Sequence, residues 1–183
     1  MPINAGKRRR TLPNYCSNGM TITGPIDTIK AVWERANTNN SGLLEAMVPI
    51  GEWQYGTAVA TWGTKWDINI DGLEYQDHGD GTATIEGWAD SAWAPPTTAY
   101  DTFIENNEDC TIYATYIEEG MDFAGIYEDG DVEEETLSEI ADIIQANGSA
   151  ETLTGTQLRI YEEFEGSIDS IIEWREENDE DEE

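Results

Sequence analysis

Thirty-nine carboxylates set against nine basic side chains give this 183-residue chain a formal net charge of -30 at pH 7. That self-repulsion is what any fold of the chain has to outweigh. It is unevenly placed. Residues 1–10 carry Lys7, Arg8, Arg9 and Arg10 and no acid, whereas residues 11–117 hold 15 acids and 3 bases. Residues 118–183 hold 24 acids against Arg159 and Arg175. Seven Trp, eight Tyr and a 38% hydrophobic fraction supply enough apolar surface for a core, which argues against a wholly disordered chain.

A charge of this sign repels nucleic acid and anionic membranes and speeds encounter with basic surfaces. At one charge per ~1.7 Å of duplex, thirty charges match roughly 50 Å of DNA. A compact chain of this length is roughly 40 Å across, so its surface charge density is in the range of a duplex. Salt adaptation produces the same composition. Six Arg against three Lys fits that second reading, and the many Ile residues fit it less well. No run approaches the ~18 apolar residues of a membrane span, and the basic N-terminus has no apolar stretch of a signal peptide. Cys16 and Cys110 lie far apart without a CxxC pattern, so reduced thiols and the host-cell cytoplasm are expected.

Periodicity orders the chain. Residues 15–23 alternate and read as a strand closed by Gly24-Pro25. Ile26, Ile29, Val32 and Trp33 then share a helical face, with the helix fading over 37–42. Residues 43–53 fit neither period. Residues 64–75 alternate, with Trp66, Ile68 and Ile70 on one face; Asp77-His78-Gly79-Asp80-Gly81 is turn-rich; residues 82–93 resume the alternation, so a β-hairpin is expected. A helix over 97–107 with Tyr100, Phe103 and Ile104 inward, a strand over 110–117 and a further strand over 121–127 follow. The order predicts an α+β fold: a ferredoxin-like βαββαβ sheet with helices on one face. Its last strand would lie antiparallel beside its first, which puts Cys16 and Cys110, each at the start of its strand, at opposite ends of the pair, against a disulfide. Beyond Gly130 the expectation is an acidic helical extension. Asp131 would cap a helix carrying Leu137, Ile140, Ala141 and Ile144 inward and ending at Asn147-Gly148. A second helix over 156–176 would bury Leu158, Tyr161, Ile168, Ile171 and Ile172.

Four peptides are distinctive together: Asn14-Tyr15-Cys16-Ser17-Asn18, Trp62-Gly63-Thr64-Lys65-Trp66-Asp67, Ser91-Ala92-Trp93-Ala94-Pro95-Pro96, and the run from Tyr116 to Gly125 that contains Glu118-Glu119-Gly120-Met121. In this order they resemble the YubB-like ferredoxin-like domain family of plasmid and phage accessory proteins. The resemblance covers about residues 13–127, implies a mobile-element origin and the same fold, and implies little about activity. The expected organisation is a basic arm over 1–12, the ferredoxin-like domain over 13–130, the acidic helical extension over 131–177 and an acidic tail over 178–183.

Chemistry-bearing motifs are sparse. Asp67-Ile68-Asn69-Ile70-Asp71-Gly72 starts like a calcium loop, but its twelfth position is His78 and its alternation reads as an exposed strand face. His78 is the sole histidine and sits among turn acids. Neither a catalytic set, a metal set nor a cofactor fingerprint emerges, so the chain reads as a binding protein and not as an enzyme. The leading expectation is a DNA-mimic inhibitor that binds a basic nucleic-acid-binding host protein without contacting nucleic acid or membrane itself. A homodimer would lengthen its charged array. The contact is expected on the extension: Glu133, Glu134, Glu135, Glu139 and Asp142 on the first helix, and Glu162, Glu163, Glu165, Asp169 and Glu173 on the second. Trp62 and Trp66 are added as interface anchors. Two alternatives stand beside it. One is an accessory protein of a salt-adapted host or its virus, acidic for solubility; the other is a small enzyme with a cleft near the hairpin tryptophans.

Overall fold

The computed structural model describes residues 14–38 and 42–179. The expected basic arm and the last four acidic residues lie outside them. The fold is α+β, built on a six-stranded, wholly antiparallel sheet. In chain order the elements are β1 (Tyr15–Pro25), α1 (Ile26–Thr38), α2 (Leu43–Met47), α3 (Tyr55–Trp62), β2 (Leu73–Asp77), β3 (Thr82–Ala92), α4 (Thr97–Asn106) and β4 (Thr111–Glu118). There follow β5 (Phe123–Glu128), β6 (Asp131–Thr136), α5 (Leu137–Asn147), a short 3-10 turn (Ala150–Thr152) and α6 (Thr156–Asp179). The strands lie in the order β2-β3-β1-β4-β5-β6. Among the described residues no helix is long and apolar enough to cross a membrane.

Two cores sit on opposite faces of this sheet. On one face Met20 and Ile22 of β1, Ile85 of β3 and Ile112 of β4 meet Ile29 and Val32 of α1, Leu43 and Leu44 of α2, Trp62 of α3, and Tyr100 and Phe103 of α4. On the other, Ala124 and Ile126 of β5 meet Leu137, Ile140 and Ala141 of α5 and Ile160, Phe164 and Ile168 of α6. Helices α1–α4 therefore occupy one face, while α5 and α6 cover the opposite face over β4–β6. This explains the near-continuous burial of β5, whose Tyr127 belongs to the first core and whose Ile126 belongs to the second.

Two segments depart from the sequence reading, and a third goes beyond it. Asp131–Thr136 is a strand, where a capped helix is expected. The reason is the turn before it: Asp129 and Gly130 have φ of 47° and 100°, and Glu128 pairs directly with Asp131. Two central residues at positive φ make the tight hairpin that Asp-Gly favours. The acids that follow gain backbone hydrogen bonds on the sheet edge, and the helix starts only at Leu137. Second, residues 63–72 are a loop, not the first strand of the hairpin, and β2 is confined to Leu73–Asp77. Third, Tyr55–Trp62 forms a helix that burial of Ala58 and Trp62 fixes.

The long loop is held by Asp67. Its carboxylate accepts the backbone N–H groups of Gly42 (3.0 Å), Leu44 (2.6 Å), Glu45 (3.1 Å) and Ile68 (2.8 Å). It thus caps α2, whose own N-terminal residue Gly42 has no capping side chain, from 25 residues away. Burial pushes this carboxyl above its ordinary pKa against the pull of the four amides. The segment that resembles the start of a calcium loop is accordingly a capping loop, and Ile68 is buried in the first core.

Cys16 and Cys110 are both free and buried, at opposite ends of β1: Cys16 begins the strand, and a Cβ on Gly24 would lie 2.4 Å from the Cys110 sulfur. Burial pushes the Cys16 thiol from 9.0 up to about 12.

Two outcomes follow for stability. Asp67→Ala should lower the unfolding free energy by about 2 kcal/mol or more, since it strands several amides at once, while Asp67→Asn, which keeps one acceptor oxygen, should lose less; chemical denaturation measures both. The raised thiol makes the folded state hold its proton longer than the unfolded chain does. Its contribution is therefore intact below pH 9 and lost as pH rises towards 12. Tyr100, Tyr116 and Tyr127, raised in the same direction by burial, add to this loss. Denaturation midpoints should fall steadily above pH 9, and a thiol reagent should label neither cysteine before unfolding.

Candidate functional site

The acids named from sequence divide into three groups. Those on β6 alternate across the sheet. Glu133 faces α6, where it accepts Arg159 Nη1 at 2.6 Å and the Thr156 hydroxyl at 3.0 Å. Glu134 points to the other face and accepts the Tyr116 hydroxyl at 3.1 Å. Glu135 is half-buried. Instead of forming one patch on a helix, these three are split by the two-residue period of a strand, and two of them carry internal hydrogen bonds.

On α5, Glu139 and Asp142 are exposed, but Asp142 is bridged to α6 by Arg175 at 2.7 Å, and the same guanidinium reaches Gln145 Oε1 at 3.0 Å. On α6, Glu162, Glu163, Glu165 and Glu173 are exposed and Asp169 is half-buried. The backbone at Phe164 (φ -124°, ψ 29°) interrupts the helix, so Glu162 and Glu163 belong to the piece before the kink. After it, Glu165, Asp169, Glu173 and Glu176 recur every three or four residues and share one stripe, about 17 Å long at 1.5 Å per residue. The Tyr161 hydroxyl lies 3.3 Å from both Glu165 and Asp169, which ties the start of that stripe together.

The two anchor tryptophans separate as well. Trp62 is 2% exposed and its Nε1 donates to the Val48 carbonyl at 2.9 Å, so it is a core residue closed to any partner. Trp66 is half-buried, with Tyr15 at 6.2 Å between ring centroids and Lys65 Nζ 5.2 Å over its ring. The tryptophans that do reach solvent are Trp53, Trp88, Trp93 and Trp174. Of these Trp93 has φ 74°, an uncommon backbone for a bulky residue.

One feature is absent from the sequence reading. The second sheet face is covered by α5 and α6 only over β4–β6, and the remaining part, over β1, β2 and β3, forms an open groove of about 550 Å³ beside α6. Its floor is Gly19 and Thr21 of β1, and its aromatic walls are Trp88 of β3 and Tyr113 of β4. Glu74 and Glu86, directly opposite each other on the β2–β3 ladder, enter from one side, and Glu163 of α6 enters from the other. Finding it needs strand register, because the residues that meet are drawn from positions 19 to 163 and none forms a motif.

The exposed His78 bonds Thr84 Oγ1 at 2.7 Å on the hairpin. Asn18 donates to Cys16 O at 2.7 Å and to Ser91 Oγ at 3.0 Å, locking a buried polar cluster into the sheet. Glu118, 3% exposed, has one carboxylate oxygen without a hydrogen-bond partner among the described residues. No group of three or more His, Cys, Asp or Glu among the described residues is placed to hold a metal ion.

No protein-family model and no curated protein matches the chain. Among solved structures it is similar to the crystal structure of protein api92 from Yersinia pseudotuberculosis, of family DUF1281, at 16% identity and a TM-score of 0.35. The similarity covers 50% of this chain and 39% of that one, so the chain spans about two fifths of that protein's length.

Proposed function

We propose that the chain is a phage- or plasmid-encoded binding protein that mimics DNA, occupying the basic nucleic-acid groove of a host defence or DNA-processing protein in the cytoplasm. The observation that carries this reading is the stripe Glu165, Asp169, Glu173 and Glu176 on α6: carboxylates follow one another at about 4.5–6 Å of helix rise, and the basic residue between the last two, Arg175, is turned toward Asp142 of α5. Repeated negative charge at that spacing suits a surface built for phosphates. Arg and Lys side chains of a partner would bond the carboxylates, giving fast encounter and strong salt dependence. The scaffold is read as a ferredoxin-like unit of the YubB-like kind. The order β2-β3-β1-β4 and the two crossings through α1 and α4 on one face support that placement.

A second reading, acidity for solubility in a salt-adapted host, draws on a different observation. Exposed carboxylates also stand far from α6, as at Asp77 and Asp80 by the β2–β3 turn and at Glu105 and Glu108 around the end of α4.

The discriminating comparison neutralises charge without shortening the chain, because cutting at Gly130 would strip β6 from β5 and uncover Ala124 and Ile126. Wild type and Glu165→Gln/Asp169→Asn/Glu173→Gln/Glu176→Gln are used as baits, followed by competition with duplex DNA. The wild type should capture a nucleic-acid-binding protein and displace duplex from it. The quadruple variant should bind that protein at least about tenfold more weakly, and moderate salt should release it. Equal capture by both baits, or a wild type that folds only in molar salt, would move the assignment to the second reading.

A further inference from the structure

We infer that the open groove on the second sheet face is a receptor for a guanidinium, taking an arginine side chain from an extended basic segment of a protein partner. The inference stands apart from the α6 stripe, because its residues lie on β1–β4 and on the first turns of α6.

Four observations carry it. Glu74 and Glu86 are register partners, both exposed on the same face, and like charges directly opposite on a ladder destabilise a sheet. The ion pairs formed among the described residues join Lys30 to Glu34, Arg159 to Glu128 and Glu133, and Arg175 to Asp142, so neither glutamate is neutralised by them. Across the groove, Glu163 accepts the hydroxyl of the buried Thr115 at 3.1 Å, which holds a third carboxylate over the same floor. The Trp88 indole lies down over Gly19: a Cβ there would sit 2.9 Å from Trp88 Cζ2. Only the missing side chain at that position leaves room for the ring. Among the described residues Trp88 and Tyr113 keep 51% and 41% of their surface exposed, the Tyr113 hydroxyl lying beside Arg159 while the sheet supplies the floor.

An aromatic face beside carboxylates on two sides fits a planar cation that stacks through its face and donates through its edge. That is the chemistry of arginine; an ammonium carries no plane to stack. Nucleic acid is repelled by the three carboxylates, and a metal ion would leave the indole without a role.

The probe is a blocked Gly-Gly-Arg-Gly-Gly peptide, compared with its lysine and citrulline counterparts. The indole N–H resonance of Trp88, identified by its loss in Trp88→Leu, is followed by NMR titration. The arginine peptide should shift it saturably, the lysine peptide should bind several-fold more weakly, and the uncharged citrulline peptide should leave it unmoved. Glu74→Gln/Glu86→Gln should weaken the arginine peptide at least about fivefold, whereas Glu173→Gln/Glu176→Gln, an equal change of charge on α6, should change it less than about twofold. Relief of the opposed carboxylates keeps the first variant folded, which thermal melting checks. Equal losses in the two double variants, or equal binding of the lysine peptide, would overturn the guanidinium assignment. If Arg8→Ser/Arg9→Ser/Arg10→Ser in the full chain binds the peptide more tightly, the groove's occupant is the chain's own basic segment and the partner assignment falls. Neither result depends on whether the α6 stripe binds a DNA-processing protein.

Discussion

The burial of β5 on both of its faces is the constraint from which the rest of the molecule hangs. Tyr127 locks the strand into the core beneath α1–α4, while Ala124 and Ile126 anchor α5 and α6 on the far side. Between them Gly125 keeps the strand thin enough for this: a Cβ there would meet the Tyr116 ring at 2.3 Å and the Glu133 carbonyl at 2.7 Å. The acidic C-terminal third therefore does not trail from a finished domain. It is bolted to the sheet through a strand that the first core already needs, and this apolar attachment is what a chain of net charge -30 has to set against its own repulsion.

Much of this was legible in the residues, and where it was not, the reasons are physical. The alternation of β1, the helical face of Ile26, Ile29, Val32 and Trp33, and the turn-rich run around His78 each express one local period, and each element forms there. Asp131–Thr136 misled because three consecutive glutamates beside a capping acid look like a helix start. The competing signal, Asp129-Gly130, is the same dipeptide that marks the earlier hairpin at Asp80-Gly81. Residues 63–72 misled because an alternating pattern says nothing of tertiary use, and here Asp67 is taken by the amides of a helix 25 residues before it. Trp62 could not be told from a surface tryptophan without knowing that residues 55–62 form a helix.

The candidate surfaces differ in the same way. The acids of α6 were visible because a helical stripe is a local repeat, whereas Glu133, Glu134 and Glu135 lost their common face when the segment became a strand. The groove was invisible because it is a product of register: Glu74, Glu86, Gly19 and Tyr113 come together only once β2, β3, β1 and β4 are laid side by side. Long-range geometry, not composition, separates the carboxylates that already have an internal partner, such as Glu133 and Asp142, from those left facing solvent.

The β6 edge carries a different consequence. Strand edges are templates on which a second chain can add itself, and proteins blunt them with charge. One edge of this sheet is Asp131–Thr136, in which four of six residues are acids; β2 forms the other. Stacking a second copy edge to edge would set those carboxylates against their own duplicates across a single ladder. The acidity that makes the chain attractive to basic surfaces thus also blunts this edge against the addition of a second copy of itself, and a twofold pairing of copies has to be built elsewhere than on β6 against β6.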